Sequence, residues 1–175
     1  MRNEEASFDE LVTIYRQWYA ALVRYLQRIL GDGSRLLAED IAQDTFAILV
    51  RKWPQVRNHP KPQAWLYMVA RRLAMRKLRE RSYEFAIGDL PEQGNAGKED
   101  PSDVHDKSVD LREAVRKLSG RQREAVWLFY FNDFKQDEIA TIMGIKRATV
   151  AVLLSQARSR LAGLLGWSPE EGQVQ

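Results

Sequence analysis

Apolar positions recur at spacings of three and four along most of the chain, the period of an amphipathic helix. Phe8, Leu11, Tyr15, Trp18, Leu22, Leu26 and Ile29 form the first such line. Ser7-Phe8-Asp9-Glu10 ahead of it fits a capping box, in which the Ser7 hydroxyl takes a first-turn amide and Glu10 reaches back. Gly31 and Gly33 supply the stop. A second helix is predicted from Ser34 to Trp53, with Leu37, Ile41, Ile48 and Lys52 on one line, and Pro54, Pro60 and Pro62 bound the loop after it. A third runs from Gln63 to Arg81 and turns Leu66, Val69, Leu73 and Leu78 inward. Beyond residue 107 the pattern predicts helices over Ser108–Leu118, from a second capping box at Ser119-Gly120-Arg121-Gln122 to Phe131, over Asp137–Met143, and over Arg147–Leu165. No stretch alternates with period two over a useful length, so no sheet is expected.

The periodicity lapses in the middle. Residues 88–108 hold two prolines, three glycines and almost no large apolar side chain, too little to offset the entropy of ordering them. The expected fold is therefore all-α: two small helical domains joined by a flexible acidic linker, the C-terminal one a helix-turn-helix. The boundaries are 1–87, 88–108 for the linker, 109–166, and a short tail at 167–175. Charge follows the same division: net +5 over 1–87, −4 over 88–108 and +2 over 109–175. Basic blocks flanking an acidic segment point toward nucleic acid.

Composition narrows the classes. With 175 residues, 45% hydrophobic and 29% charged, the chain can bury a core in one or two domains. Zero cysteines exclude a disulfide framework and thiolate zinc sites. The longest charge-free apolar run, near Ala125–Phe131, is far short of a membrane span. The first residues have no apolar stretch of the signal-peptide kind, so a cytoplasmic protein is expected. His59 and His105 fall in predicted loops without a nucleophile or ligand set beside them, and there is no Gly-rich phosphate loop. No enzyme activity, cofactor or metal is expected.

Three elements carry chemistry. In the third helix Trp65, Met68, Arg72, Arg76 and Arg79 share a face, with Arg71, Lys77 and Arg81 beside it. Phosphates need such cations and unstacked bases need an aromatic platform; a solvated basic face over a core Trp65 is the plainer alternative. In the second helix Asp40, Gln43 and Asp44 lie at i, i+3 and i+4. Those groups suit a docking face, half of a metal site or a solvated surface. At the C-terminal end, Glu138–Ile145 runs into Lys146–Val150 through a turn holding Gly144, with small Ala140 where helices approach and Ile145 and Val150 to pin the second helix. In such modules the second helix enters the major groove.

In this order, these motifs resemble the extracytoplasmic-function (ECF) class of bacterial sigma factors. The resemblance rests on Phe8-Asp9-Glu10-Leu11, on Ala38 through Phe46, on Ala64-Trp65-Leu66-Tyr67-Met68-Val69-Ala70-Arg71, and on Leu118-Ser119-Gly120-Arg121-Gln122-Arg123-Glu124 with the helix-turn-helix. It implies that the first domain binds core RNA polymerase through Asp40, Gln43, Asp44 and Phe46, docking on the clamp helices of the largest subunit. It implies −10 contacts at Asn58, Lys61, Trp65, Arg71, Arg72, Arg76, Lys77 and Arg79, where one base of the single-stranded non-template strand is flipped into a pocket. Duplex −35 contacts would come from Lys146, Arg147, Thr149, Ser155 and Gln156, the acidic linker would thread toward the polymerase active-site cleft, and an anti-sigma factor is a further candidate partner.

The chain departs from the family pattern at Arg72 and Arg76, where the family commonly has Asn and Asp, and more so in the recognition helix. There the usual N-cap Ser is Lys146, a poor cap, the usual Lys, Ser and Arg are Ala151, Val152 and Leu153, and a later Arg is Gln156. Either the helix reads −35 DNA with few phosphate contacts, or Val152 and Leu153 pack on a protein. The functional alternative is a helix-turn-helix regulator acting without polymerase, which leaves Asp40, Gln43, Asp44 and Trp65 without a role.

Overall fold

The computed structural model describes residues 2–31, 33–87 and 106–166. They form seven helices: α1 Arg2–Leu30, α2 Arg35–Val56, α3 Pro62–Ile87, α4 Asp106–Arg116, α5 Gly120–Tyr130, α6 Gln136–Met143 and α7 Arg147–Leu164. No strand occurs among the described residues. The chain divides into two compact units; α1–α3 build the first, and α4, α5, α7 and the start of α6 lie in the second. Most of the segment expected as linker, its His105 and the tail from 167 lie outside the described residues.

In the first unit the helix bounds shift for local reasons. Asn3-Glu4-Glu5-Ala6 holds no breaker, and carboxylates in a first turn suit the positive end of the helix dipole. α1 therefore starts at Arg2 and Ser7, expected as its cap, lies inside it. Gly31 ends α1 at φ +91°, its amide donating to the Gln27 carbonyl. Ser34 precedes α2 but caps nothing with its side chain, which donates back to the Gly31 carbonyl. Pro54, expected in the loop, lies in the last turn of α2. A proline there forfeits one backbone bond, but Trp53 and Val56 on either side are both buried and hold the turn. Pro62 opens α3, where its fixed φ suits a first helical position, and α3 passes Arg81 to Ile87 because no Gly or Pro intervenes before Gly88.

α2 is the central element of this unit, packing on both α1 and α3. Its buried stripe is Ala38, Ile41, Ala42, Thr45, Phe46, Leu49, Trp53 and Val56. Of the expected line, Ile41 is buried, Leu37 and Ile48 are half-buried and Lys52 is exposed. Two neighbouring helices require a wider stripe, and the small Ala38 and Ala42, which were not on the expected line, are part of it. The same holds in α3, where Val69, Leu73 and Leu78 are half-buried and the centre of the packed face is Ala64, Leu66, Tyr67, Ala70 and Ala74. Alanines let the helices approach, and the Tyr67 ring meets Tyr25 of α1 at 5.1 Å. Burial pushes the Tyr67 phenol well above its ordinary pKa, so it stays neutral. On α1, Leu22, Val23, Tyr25 and Leu26 are buried, whereas Phe8 is 67% exposed.

In the second unit α7 packs on α5 and α4. Its core includes Leu118, Val126, Leu128, Phe134, Ile139, Val150, Leu154 and Ala157. The capping box opening α5 is complete: Gln122 N–H donates to Ser119 Oγ at 3.3 Å, and Ser119 N–H donates to Gln122 Oε1 at 3.2 Å. Arg123 Nη2 donates to the Arg116 and Leu118 carbonyls at 2.7 and 3.1 Å, tying the end of α4 to α5. Lys146 precedes α7 in an extended conformation and makes no side-chain cap bond.

Two stability outcomes follow. Ser119→Ala removes one half of the box and lowers unfolding free energy by about 1 kcal/mol; denaturant melts reading the second unit measure it, and no change would mean that the box is idle. Lys146→Ser supplies the missing cap and raises stability by about 1 kcal/mol, whereas an unchanged midpoint would show that water already satisfies those amides.

Candidate functional site

The stripe that buries one side of α2 fixes what its other side presents. Asp40, Gln43 and Asp44 are all exposed, on consecutive turns. Phe46 does not join them. It is buried, its ring edge-on to Tyr15 at 4.9 Å and tilted to Tyr19 at 6.0 Å. Two residues beyond Asp44 the helix has turned about 200°, so Phe46 holds α1 against α2 and is not part of an exposed face. No cluster of three or more metal-ligating side chains occurs among the described residues. Between the early turns of α2 and the late turns of α3 lies an open hollow of about 540 Å³, lined by Leu37, Asp40, Ile41, Gln43, Asp44, Lys77, Glu80 and Arg81.

The cations of α3 divide between two sides. Arg72, Arg76 and Arg79 are exposed on the face that carries half-buried Trp65 and Met68. Arg71 is half-buried. Lys77, expected with the others, is exposed on the wall of the hollow together with Arg81. Glu80 bridges both sides: its Oε1 accepts from Arg76 Nε at 2.8 Å and its Oε2 from Lys77 Nζ at 3.2 Å. These bonds, Arg76 first, hold the Glu80 carboxyl below the usual carboxylate range. Asn58 stands exposed and Lys61 half-buried in the turn before α3, where the Lys61 amide donates to His59 Nδ1 at 3.0 Å. The eight residues expected at −10 thus do not form one surface. Glu80, which the basic face did not include, and Arg81, named beside it, both line the hollow.

The helix-turn-helix has the geometry its glycine requires. Gly144 adopts φ +66° and the Ile145 amide donates to the Ala140 carbonyl at 3.0 Å, the long bond of a Schellman turn. α7 then buries Val150, Leu154 and Ala157 and leaves Lys146, Arg147, Thr149, Ser155 and Gln156 exposed. Gln156 is engaged within the unit: its Oε1 accepts from Gln122 Nε2 of the α5 capping box at 3.3 Å. Val152 is 52% exposed on the same helix.

Comparison with known proteins accounts for both units. Residues 14–83 match the family model for sigma-70 region 2, and residues 108–161 match sigma-70 region 4. The chain is 30% identical over 151 residues to the ECF RNA polymerase sigma factor SigL of Mycobacterium tuberculosis, covering 82% of each chain. It is 30% identical over 156 residues to the ECF RNA polymerase sigma factor SigM of Bacillus subtilis, covering 86% of this chain and 92% of that one. Its fold resembles the sigma factor RpoE of Bartonella quintana, solved with the anti-sigma factor NepR, at a TM-score of 0.73 and 24% identity, covering 90% of this chain and 97% of that chain. The exposed Asp40, Gln43 and Asp44, the basic face of α3 and the helix-turn-helix are therefore features of a chain that belongs to the ECF RNA polymerase sigma factors.

Proposed function

We propose that this sigma factor docks on the clamp helices of core RNA polymerase through Asp40, Gln43 and Asp44. The observation that carries the docking site is the division of α2 into a fully buried stripe and an exposed polar face on successive turns. A helix held on two sides by α1 and α3 presents those groups without further ordering cost, as a docking site needs. As an alternative sigma factor, the chain binds core polymerase, directs it to promoters and helps melt the −10 region, while polymerase supplies the chemistry. Nothing in the comparisons favours a regulator acting without polymerase. The chain itself is no enzyme on this reading, and its setting is the cytoplasm, where polymerase and promoters are.

Residues 1–87 serve polymerase and the −10 element on this proposal, and 109–166 serve the −35 element, joined by 88–108. Asn58 and Lys61 in the turn, and Trp65, Arg71, Arg72, Arg76 and Arg79 along α3, meet the −10 strand. Lys146, Arg147, Thr149 and Ser155 line the exposed side of α7 toward −35 DNA, with Gln156 in reserve because it already holds Gln122. Exposed Val152 is the point where a protein partner would compete with duplex DNA.

Gel filtration with core RNA polymerase tests the docking site. The wild-type chain co-elutes, and an Asp40→Arg/Asp44→Arg variant, folded by circular dichroism, loses at least about tenfold in affinity, the scale of reversing interfacial charges. Co-elution of both chains would remove these residues from the interface. In the assembled holoenzyme, Arg72→Gln/Arg79→Gln lowers promoter affinity and flattens its salt dependence by about two phosphate contacts; an unchanged slope would count against the basic face.

A further inference from the structure

The hollow between α2 and α3 has walls of opposite sign. Asp40 and Asp44 stand on the α2 wall, Lys77 and Arg81 on the α3 wall, and half-buried Leu37 lies beside buried Ile41 between them. The walls do not neutralise each other: among the described residues Asp40, Asp44 and Arg81 take part in no ion pair, and Lys77 pairs only with Glu80 on its own helix. All four charged side chains are exposed. Such charges rest comfortably in water, but any partner that displaces that water must bring counter-charges for both walls.

This requirement decides what fits. A nucleic-acid strand approaching Lys77 and Arg81 would carry its phosphates against Asp40, Asp44 and Glu80 as well, where like charges repel. Arg72 and Arg79 neither line the hollow nor pair with Glu80, so phosphate reaches them without that penalty. A protein helix with cations along one edge, carboxylates along the other and an apolar side chain between them satisfies both walls and the floor together. We infer that the polymerase-docking surface crosses from α2 onto α3, so that Lys77 and Arg81 contact carboxylates of the same polymerase helix whose cations meet Asp40 and Asp44. Lys77 then belongs to the protein interface and not to the −10 contacts. The inference rests on the docking reading above and adds its second wall. It also explains a two-signed rim: cations alone on the partner would be drawn to α2 in any register, whereas opposite edges fix its direction and position.

The test measures affinity of the full-length labelled chain for core RNA polymerase over a range of salt, and affinity of the assembled holoenzyme for a twenty-residue oligo-dT strand. Four chains are compared: wild type, Lys77→Glu/Arg81→Glu, the milder Lys77→Gln/Arg81→Gln, and Asp40→Arg/Asp44→Arg. Reversal at 77 and 81 weakens core binding about tenfold and neutralisation weakens it by a smaller factor. In both chains the loss in core affinity exceeds the loss in strand affinity. Thermal melts identify any variant that fails to fold, and the Gln pair keeps the helix intact. Core affinity within twofold of wild type for both 77/81 variants, with a fall in strand affinity, overturns the inference and returns Lys77 to the DNA. If the α2 variant alone loses core binding, the docking reading stands and only its second wall falls. If neither variant loses it, both fall.

Discussion

The first unit depends on burying α2 on two sides at once. Ala38, Ile41, Ala42, Thr45, Phe46, Leu49, Trp53 and Val56 must all leave water, and only a helix clamped between α1 and α3 lets them. Small residues at 38 and 42 permit close approach, while Phe46 and Trp53 fill the space toward the other end. Once that stripe is fixed, 3.6 residues per turn leave no choice about Asp40, Gln43 and Asp44, which must face outward. The buried stripe and the exposed polar groups are thus two sides of one helix. A change that rotated the buried stripe by one residue would also misdirect the polar face.

α3 applies the same rule to charge. Its alanine-rich side lies against the unit, and its many cations have to share what remains. They part into a side carrying Arg72, Arg76 and Arg79 beside Trp65, and a side carrying Lys77 and Arg81 across from the α2 carboxylates. Glu80 joins the two, accepting from Arg76 and Lys77. In the second unit the hydroxyl and amide of the Ser119–Gln122 box set the start of α5, and the same Gln122 reaches α7 through Gln156.

The sequence pattern made the order of the helices, the stops at Gly31 and Gly144, the cap at Ser119 and the absent cap at Lys146 legible, because each depends on bonding within a few residues. Facing was harder. Of the line Leu37, Ile41, Ile48 and Lys52 only Ile41 is buried; Ala38 and Ala42 beside it are buried more fully, and alanine gives periodicity little signal. Pro54 looked like a loop residue because the burial of Trp53 and Val56 beside it was invisible to local rules. Phe46 followed the family motif into the docking set, although an aromatic beside polar positions more often marks the packed side. Lys77 joined the −10 group through the resemblance; its place on the hollow depends on how α2 and α3 pair, which no spacing within α3 reveals.

The central claim is that the exposed side of α2 is the surface seated on polymerase. Its most direct test places a photo-crosslinking amino acid at Gln43 in the full-length chain and irradiates the complex with core RNA polymerase. The account predicts a crosslink to the largest subunit, mapped by mass spectrometry to its clamp helices. A crosslink to another subunit or to promoter DNA, or none from a chain that co-elutes with polymerase, would contradict it.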